Sequence, residues 1–453
     1  MDVCVTFETM NNRGKKLSNL ELLKNRLIYL STLFNSGEDI KNRLRRDIND
    51  CWKDIYHLLG KNRNERLKDD DFLYAHYCIY FESILKKTDK GSRKCKDFLL
   101  KEYFVPEEII NNRLEPTNIF DYVTDLKEGI KSWYYLSNPT DSPYNKETKE
   151  YLRKINYIVS ENIDQRSFHV PNIDVFLFTC FKQTNGKEFL ALLKILEKYL
   201  FLTLFYPDGT FLYRYLNPIF DTNQKVTEIV GLGQGRIPRL RLSNEKTNVS
   251  EIIQIINIVI KEMQSSEERK RNTIEYYNKR GFYQQLFLKY FLAEYEIFLS
   301  KQSRNYEEKL NRDKYFKKDL DSIEHILPMN IGNNKYWQER FGSSKFSQYK
   351  RKALQNSLGN LVIITVEKND KMKNRSFPEK KGANSNSIGF RYGNYSEIQI
   401  SAYEDWTEKE IKDRGMNLIT FLKRRWGIVI GDGTKSDKLM FLGLEFLKER
   451  END

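Results

Sequence analysis

Apolar side chains recur at helical spacing in one segment after another between about residues 20 and 320. Clear examples are DDDFLYAHYCIYFESILKK at 69–87, NIFDYVTDLKEGIKSWYYL at 118–136 and SEIIQIINIVIKEM at 250–263. In the first segment, acidic residues precede the apolar ones, which suits the positive end of a helix dipole. Such spacing is typical of amphipathic helices that bury one face. The pattern therefore predicts a mainly α protein with a large helical region.

Length and charge limit the class of protein. The chain has 453 residues, enough for two or three domains with cores of their own. Its 40% hydrophobic and 31% charged residues are typical of a water-soluble globular protein. The 76 basic residues exceed the 63 acidic ones and give a formal charge of +13. This excess favours a polyanionic partner, and a Lys-rich solvated surface explains it equally well.

The cysteines and the most apolar run predict a cytoplasmic protein that does not enter a membrane. No two cysteines form a Cys-x-x-Cys pair, so we expect reduced thiols and neither a zinc site nor a disulfide framework. The run FLALLKILEKYLFLTLF at 189–205 contains two lysines and a glutamate. It is also shorter than the ~20 apolar residues of a membrane span. We therefore predict a buried helix at this position.

Two segments outside the helical pattern predict local strands. At the N-terminus, VCVTF at 3–7 predicts a strand, and Ser18-x-x-Glu21 has the spacing of a capping box that begins a helix. The segment GLGQGRIPRLRLSNEK at 231–246 predicts a loop that leads into an edge strand. Its glycines and arginines leave a phosphate contact open as an alternative, although no Gly-Lys-Ser/Thr follows as in a Walker loop.

The most informative segment lies near the C-terminus. DSIEHILPMN at 321–330 predicts a strand that ends at Pro328, and NLVIIT at 360–365 predicts a second strand after the turn residue Gly359. VEKNDKMKNR at 366–375 predicts a short helix. A strand with Glu-His, a long loop, a second strand flanked by asparagines and a helix together form a ββα-metal arrangement.

These residue types suit phosphodiester hydrolysis, which needs a base for water, a cation for the phosphate and a group that orients the base. His325 is the candidate base, because its imidazole is neutral near pH 7. Asn360 is the candidate for orienting that ring. Glu324 and Asn369 carry the hard oxygen ligands that Mg²⁺ or Mn²⁺ prefers. A structural zinc is not expected, since Cys and His are scarce nearby.

Each of these residues also has a purely structural interpretation. His325 between apolar neighbours has the setting of a buried core histidine, and Asn360 can simply close a turn after Gly359. Asn369 can be an ordinary surface residue of the helix. The basic cluster from Lys368 to Arg375 has the composition of a solvated helix face.

The motifs EHILP, LGNL and KN, the last ending nine positions after Asn360, occur in the order seen in HNH, or His-Me finger, nucleases. More narrowly, the chain resembles the C-terminal nuclease domain of GmrSD-type restriction endonucleases. YFLAEYE before these motifs, SFPEKK after them and YSEIQISAYEDWTEKEIKDRGMNLITFLKRRW near the end also resemble that domain. The resemblance covers about residues 285 to 428.

This resemblance implies a role for each candidate residue. His325 would be the general base, Glu324 and Asn369 metal ligands, and Asn360 the residue that orients the base. Asn374 would support the site or contact a phosphate. Lys371, Lys373 and Arg375 would then face DNA phosphates.

The N-terminal segment TFETMNNRGKKLSNLELLKN resembles the last part of the ParB/sulfiredoxin-like domain that precedes the nuclease in GmrSD-type proteins. The Asp-Gly-Gln-Gln-Arg signature of that nucleotide-binding domain does not occur in the chain. We therefore expect no nucleotide dependence for this chain alone, and a separate ParB-like subunit as a candidate partner. The predicted domains of the chain are a remnant of the ParB/sulfiredoxin-like domain at 1–35, a helical middle domain at 36–284 and the nuclease domain with its closing helices at 285–453.

Together these features predict a metal-dependent DNA endonuclease that restricts foreign or modified DNA, such as phage DNA. A non-catalytic DNA-binding or assembly subunit is the first alternative, and an RNA nuclease is the second.

Overall fold

The computed structural model describes most of the chain. The described residues are 17–61, 68–81, 92–163, 173–207, 225–230, 239–243, 248–303, 321–382 and 388–448. The predicted N-terminal strand at 3–7 and the glycine-rich loop at 231–238 lie outside these ranges.

Helices dominate the first two thirds of the described chain, as the periodicity predicts. They are α1 (Asn19–Leu33), α2 (Glu38–Lys61), α3 (Asp69–Tyr80), α4 (Ser92–Asp97), α5 (Pro106–Ile110), α6 (Pro116–Ser137), α7 (Lys146–Ile163), α8 (Ile173–Gln183), α9 (Gly186–Phe205), α10 (Val249–Ser265), α11 (Glu267–Arg280) and α12 (Leu288–Gln302). A short antiparallel hairpin, β1 (Lys225–Val230) with β2 (Arg239–Ser243), interrupts them. Strand β2 falls where an edge strand was predicted.

The predicted capping box at Ser18 is confirmed. The Glu21 amide donates to Ser18 Oγ at 3.2 Å, and the Ser18 amide donates to Glu21 Oε2 at 2.8 Å. This exchange satisfies two backbone donors at the start of α1 that the helix itself cannot pair. Local sequence therefore fixes where the first described helix begins.

The last third contains a second hairpin surrounded by short helices. Strand β3 (Asp321–His325) pairs antiparallel with β4 (Leu361–Thr365). The helices are α13 (Lys335–Phe341), α14 (Gln348–Asn356), α15 (Val366–Met372), α16 (Phe377–Lys381), α17 (Tyr395–Ser401), α18 (Glu408–Trp426) and α19 (Lys435–Phe441). The mainly α class is confirmed, with the small hairpin near the C-terminus.

Helix α9 joins the helical region to the C-terminal region through a shared core. It contains the apolar run that was predicted to be a buried helix, and Phe201 and Phe205 on it are fully buried. The Phe201 ring stacks on Trp426 at the end of α18, with centroids 3.7 Å apart. Arg425 Nη2 also donates to the buried Glu197 Oε2 at 2.9 Å. Within the described residues, no helix is long and apolar enough to cross a membrane.

Candidate active site

The hairpin of β3 and β4 places the sequence motifs next to each other. In the antiparallel register, His325 lies opposite Leu361 and Glu324 lies opposite Val362. Helix α15 follows β4 directly, and Thr365 caps it by accepting from the Lys368 amide at 3.4 Å. The predicted order of strand, long loop, strand and helix is therefore present.

Strand β3 is shorter than predicted, because it ends at His325 and not at Pro328. One further backbone bond follows, from the Ile326 amide to the Asn360 carbonyl at 3.0 Å. Beyond that point the Asn360 side chain holds Leu327, so the chain leaves the β ladder. The second strand correspondingly begins at Leu361, since Asn360 belongs to a 3₁₀ turn.

His325 is buried at the end of β3, with 8% of its surface exposed. The ring of Tyr283 lies against the imidazole, with centroids 4.2 Å apart. The Asn356 side chain hydrogen-bonds the imidazole. Its Nε2 is buried and has no hydrogen-bond partner among the described residues.

The surroundings of His325 keep its imidazole neutral. Burial lowers the pKa of His325 to about 4, the hydrogen bond to the Asn356 side chain opposes this shift, and the positive charge of Lys380 adds to it. Desolvation disfavours the charged imidazolium. A neutral imidazole with an unpaired nitrogen is the form that can accept a proton.

Asn360 is fully buried and uses its whole carboxamide in hydrogen bonds. Its Oδ1 accepts from the Leu327 amide at 2.7 Å and from Trp406 Nε1 at 3.1 Å. Its Nδ2 donates to the carbonyls of Leu327 at 3.0 Å and Gln355 at 2.9 Å. Two donated and two accepted bonds exhaust a carboxamide. Asn360 therefore has no hydrogen-bonding capacity left for the imidazole, where a direct bond was expected. It bonds instead to the backbone of Leu327, two residues after His325.

Glu324 is paired with Lys380, a lysine that the sequence did not indicate as a site residue. Lys380 is fully buried, and its Nζ donates to Glu324 Oε1 and to the carbonyls of His325 at 2.9 Å and Ile326 at 3.1 Å. Burial raises the pKa of the Glu324 carboxyl, and the charge of Lys380 opposes that shift. Burial likewise lowers the pKa of Lys380, and Glu324 opposes it.

Asn369 lies on the same side of β3 as Glu324. Its Nδ2 donates to Ser322 Oγ at 2.5 Å, and Ser322 precedes Glu324 by two residues on the strand. Alternate residues of a strand share a face. The structure thus brings the two predicted metal ligands to one face of the hairpin.

The donor set does not fit a divalent cation in this arrangement. Glu324 is 6% exposed and bonded to the Lys380 ammonium. Mg²⁺ and Mn²⁺ are held by carboxylates that are free to bind them, usually with several waters. Among the described residues, no group of three or more His, Cys, Asp or Glu side chains is placed to hold a metal.

The residues of the predicted basic cluster fall into two groups, those paired with carboxylates and those exposed to solvent. Lys371 Nζ donates to Glu367 at 2.5 Å on the exposed face of α15, and Lys368 bonds to Glu397. Lys373, Asn374 and Arg375 are exposed just after the helix. The backbone there is anchored, since the Asn374 carbonyl accepts from Asn334 and the Arg375 carbonyl accepts from Trp337.

Sequence reasoning missed several residues that build the site. Arg414 on α18 is 1% exposed, and its Nη1 donates to the carbonyls of Gly359 at 2.8 Å and Leu361 at 2.7 Å. Gly359 packs so closely that a Cβ there would lie 1.9 Å from the Ile411 carbonyl oxygen. Arg414 and Trp406 lie in the C-terminal segment that resembles the family domain, and Tyr283 and Asn356 gave no local signal.

Fold and site together define a mainly α protein with a strand–loop–strand–helix unit and a neutral buried histidine at the end of its first strand. Residues 264–421 match the family model of GmrSD restriction endonucleases, C-terminal domain. This match supports a GmrSD-type restriction endonuclease C-terminal domain in this part of the chain. The match begins at 264, before the boundary predicted at 285. No curated protein matches the chain.

Proposed function

We propose that this chain is an endonuclease of the HNH, or His-Me finger, type that hydrolyses phosphodiester bonds in DNA, with His325 as the general base. The observation that carries the proposal is a neutral imidazole with an unpaired Nε2 at the end of β3, inside the family-matched region. The family supports a nuclease role that acts on DNA. Restriction of foreign or modified DNA in the cytoplasm belongs to the same proposal.

The proposed step is attack of water on a phosphodiester. The water oxygen forms a bond to phosphorus while the P–O3′ bond breaks, His325 Nε2 accepts the proton that the water loses, and the leaving O3′ takes a proton from solvent. Asn356 would hold the other ring nitrogen and so present Nε2 as the free one. Asn360 and Lys380 fix the backbone on which His325 stands. Lys373 and Arg375 are exposed and would contact neighbouring phosphates, with Asn374 between them.

A divalent cation is implied by the resemblance, and Mg²⁺ or Mn²⁺ would supply charge stabilisation at the phosphate and the leaving oxygen. Glu324 is committed to Lys380, so no step is assigned to a cation held by Glu324. Asn369 donates its Nδ2 to Ser322, and its carboxamide oxygen would be the atom offered to such an ion or to the substrate. The proposed division of the chain at residues 35 and 284 and a separate ParB-like subunit remain predictions.

The test is a plasmid-nicking assay in Mg²⁺, in Mn²⁺ and in EDTA with wild type, His325→Ala and His57→Ala. His57 is an exposed histidine on α2 and serves as the matched control. We expect nicking by wild type and His57→Ala and a loss of at least about 100-fold in His325→Ala. Equal cleavage by all three would refute the assignment of the base.

The same assay separates the alternatives. Salt-dependent DNA binding by wild type without cleavage under any metal condition would favour the DNA-binding or assembly subunit. Cleavage of RNA in preference to matched DNA would favour an RNA nuclease. Both substrates are therefore tested side by side, with unmodified and modified DNA.

A further inference from the structure

We propose that Glu324 is the permanent counter-ion of Lys380 and not a metal ligand, and that this ion pair is a positioning device for His325. The meaning of the device for catalysis rests on the proposed nuclease function. The ion pair itself and its effect on metal binding do not depend on that function.

All three donors of the Lys380 ammonium are used at the end of β3. They reach the Glu324 carboxylate, the His325 carbonyl at 2.9 Å and the Ile326 carbonyl at 3.1 Å. An ammonium has three N–H donors, so no donor remains for water or substrate. The full burial of Lys380 agrees with a structural pairing of this kind.

Lys380 reaches this position because helix α16 is fixed at both ends. Ser376 and Glu379 form a capping box at its start, and Phe377 is fully buried with its ring centroid 5.3 Å from that of Trp406. The helix ends at Lys381 and is capped by Gly382, whose φ of 90° lies in the left-handed region that favours glycine. Lys381, the next residue, turns to the Tyr403 carbonyl instead.

A divalent cation at Glu324 would have to compete with the Lys380 ammonium, which already binds this carboxylate. Either the ammonium and the metal ion would lie side by side in a buried space, where their repulsion is weakly screened. Alternatively, Lys380 would leave the carboxylate and keep its charge buried with only two carbonyl partners. Both arrangements cost more than the present one, in which the carboxylate and the ammonium neutralise each other.

The ion pair also fixes the residue that carries the base. Lys380 holds the carbonyls of His325 and Ile326 from one side. Asn360 holds the Ile326 amide through its backbone carbonyl and the Leu327 amide through its side chain. The backbone from His325 to Leu327 is thus held by two buried residues, Lys380 and Asn360, which fixes the point from which the imidazole extends.

The first experiment measures Mn²⁺ binding by electron paramagnetic resonance on the full chain, with wild type, Glu324→Gln, Lys380→Met and the control Lys381→Met. If Glu324 is not a ligand, Glu324→Gln changes Mn²⁺ affinity by less than about threefold, whereas loss of a ligand costs more. Lys380→Met frees a buried carboxylate, so it should gain at least about tenfold in Mn²⁺ affinity. A larger loss in Glu324→Gln, or no gain in Lys380→Met, would overturn the proposal.

A second measurement covers the case in which Lys380→Met does not fold. Thermal unfolding of Glu324→Gln, Lys380→Gln and the double variant reports whether the two residues act as a pair. We expect the double variant to be more stable than the sum of the two single effects implies. Strictly additive effects, or a double variant that is worse than the sum, would overturn the pairing.

The positioning role has a spectroscopic readout that a general loss of structure would not reproduce. The chain has only four histidines, so ¹⁵N-histidine spectra are assignable with His325→Ala. Lys380→Arg should shift the His325 ring signals and leave the other three histidines in place, and Lys381→Arg should shift none of them. Unchanged His325 signals in Lys380→Arg would remove the positioning role. Because none of these measurements needs cleavage, failure of the nuclease assay would leave them decisive.

Discussion

The ring of Tyr283 covers the imidazole of His325, with ring centroids 4.2 Å apart and planes at 45°. Tyr283 itself is 42% exposed. It is held there because the Phe282 amide donates to the Asn356 carbonyl at 2.9 Å. Gly281 makes this approach possible, since a Cβ there would lie 2.6 Å from Asn356 Cβ and its φ is 66°. The candidate base is therefore covered by an aromatic ring that solvent can reach.

Removing this ring should uncover the base. In Tyr283→Ala we expect His325 to react about tenfold faster with diethyl pyrocarbonate, because reactivity scales with the fraction of molecules in which Nε2 is accessible. Mass spectrometry of the modified peptide gives the rate. Tyr283→Phe keeps the ring and should match wild type, as should Tyr349→Ala at another exposed tyrosine. No acceleration in Tyr283→Ala would show that the ring does not shield His325.

Asn360 should contribute much more to stability than its neighbours on the surface. Asn360→Ala leaves the Leu327 amide and carbonyl and Trp406 Nε1 buried without partners. Since each unsatisfied group costs about 1–3 kcal/mol, we expect a loss of about 3 kcal/mol or more in the free energy of unfolding. Urea denaturation measures it. The exposed Asn374→Ala is the control and should stay within about 0.5 kcal/mol of wild type.

Glu294 should make stability fall in acid. Its carboxylate lies 2.9 Å from Lys154 Nζ and 2.9 Å from Arg425 Nε. Burial alone would raise the pKa of Glu294, but these two positive charges outweigh it and lower the pKa from 4.5 to about 2. The folded pKa lies below the unfolded one, so the stabilisation is present above about pH 5 and is lost as pH falls toward 2.

The matching experiment compares wild type with Glu294→Gln by denaturant unfolding from pH 7 to pH 3. We expect a difference in unfolding free energy of about 3 kcal/mol at pH 7 that shrinks steadily below pH 5. The exposed Glu339→Gln is a control and should show little change with pH. A Glu294→Gln difference that is constant with pH would contradict the lowered pKa.

Lys373 and Arg375 should contribute to DNA binding more than Lys371 does. Both are exposed after α15, whereas Lys371 is already paired with Glu367. Each phosphate contact contributes about one unit to the slope of log affinity against log salt. We expect Lys373→Ala/Arg375→Ala to lower that slope by about two units and Lys371→Ala to lower it less. Fluorescence anisotropy on duplex DNA at several salt concentrations measures the slopes, and equal slopes for all variants would exclude this surface.

The sequence alone determined what depends on neighbours in the chain. Helical periodicity predicted the mainly α class, the Ser18 capping box was visible as a four-residue pattern, and the order of β3, β4 and α15 followed from turn and strand signals. The family resemblance also came from the sequence, because its motifs are short and ordered. These features need only side chains that lie a few positions apart.

Only the tertiary structure decided how the site is assembled. Lys380 pairs with Glu324 across 56 positions, and the ring of Tyr283 reaches His325 across a similar stretch of chain. In the same way, Asn360 accepts a hydrogen bond from Trp406, which lies on a different segment of the chain. A sequence shows which side chains are able to donate, accept or stack. Which of them meet is decided by burial, since a buried polar group takes whichever partner the packed chain brings within hydrogen-bond distance.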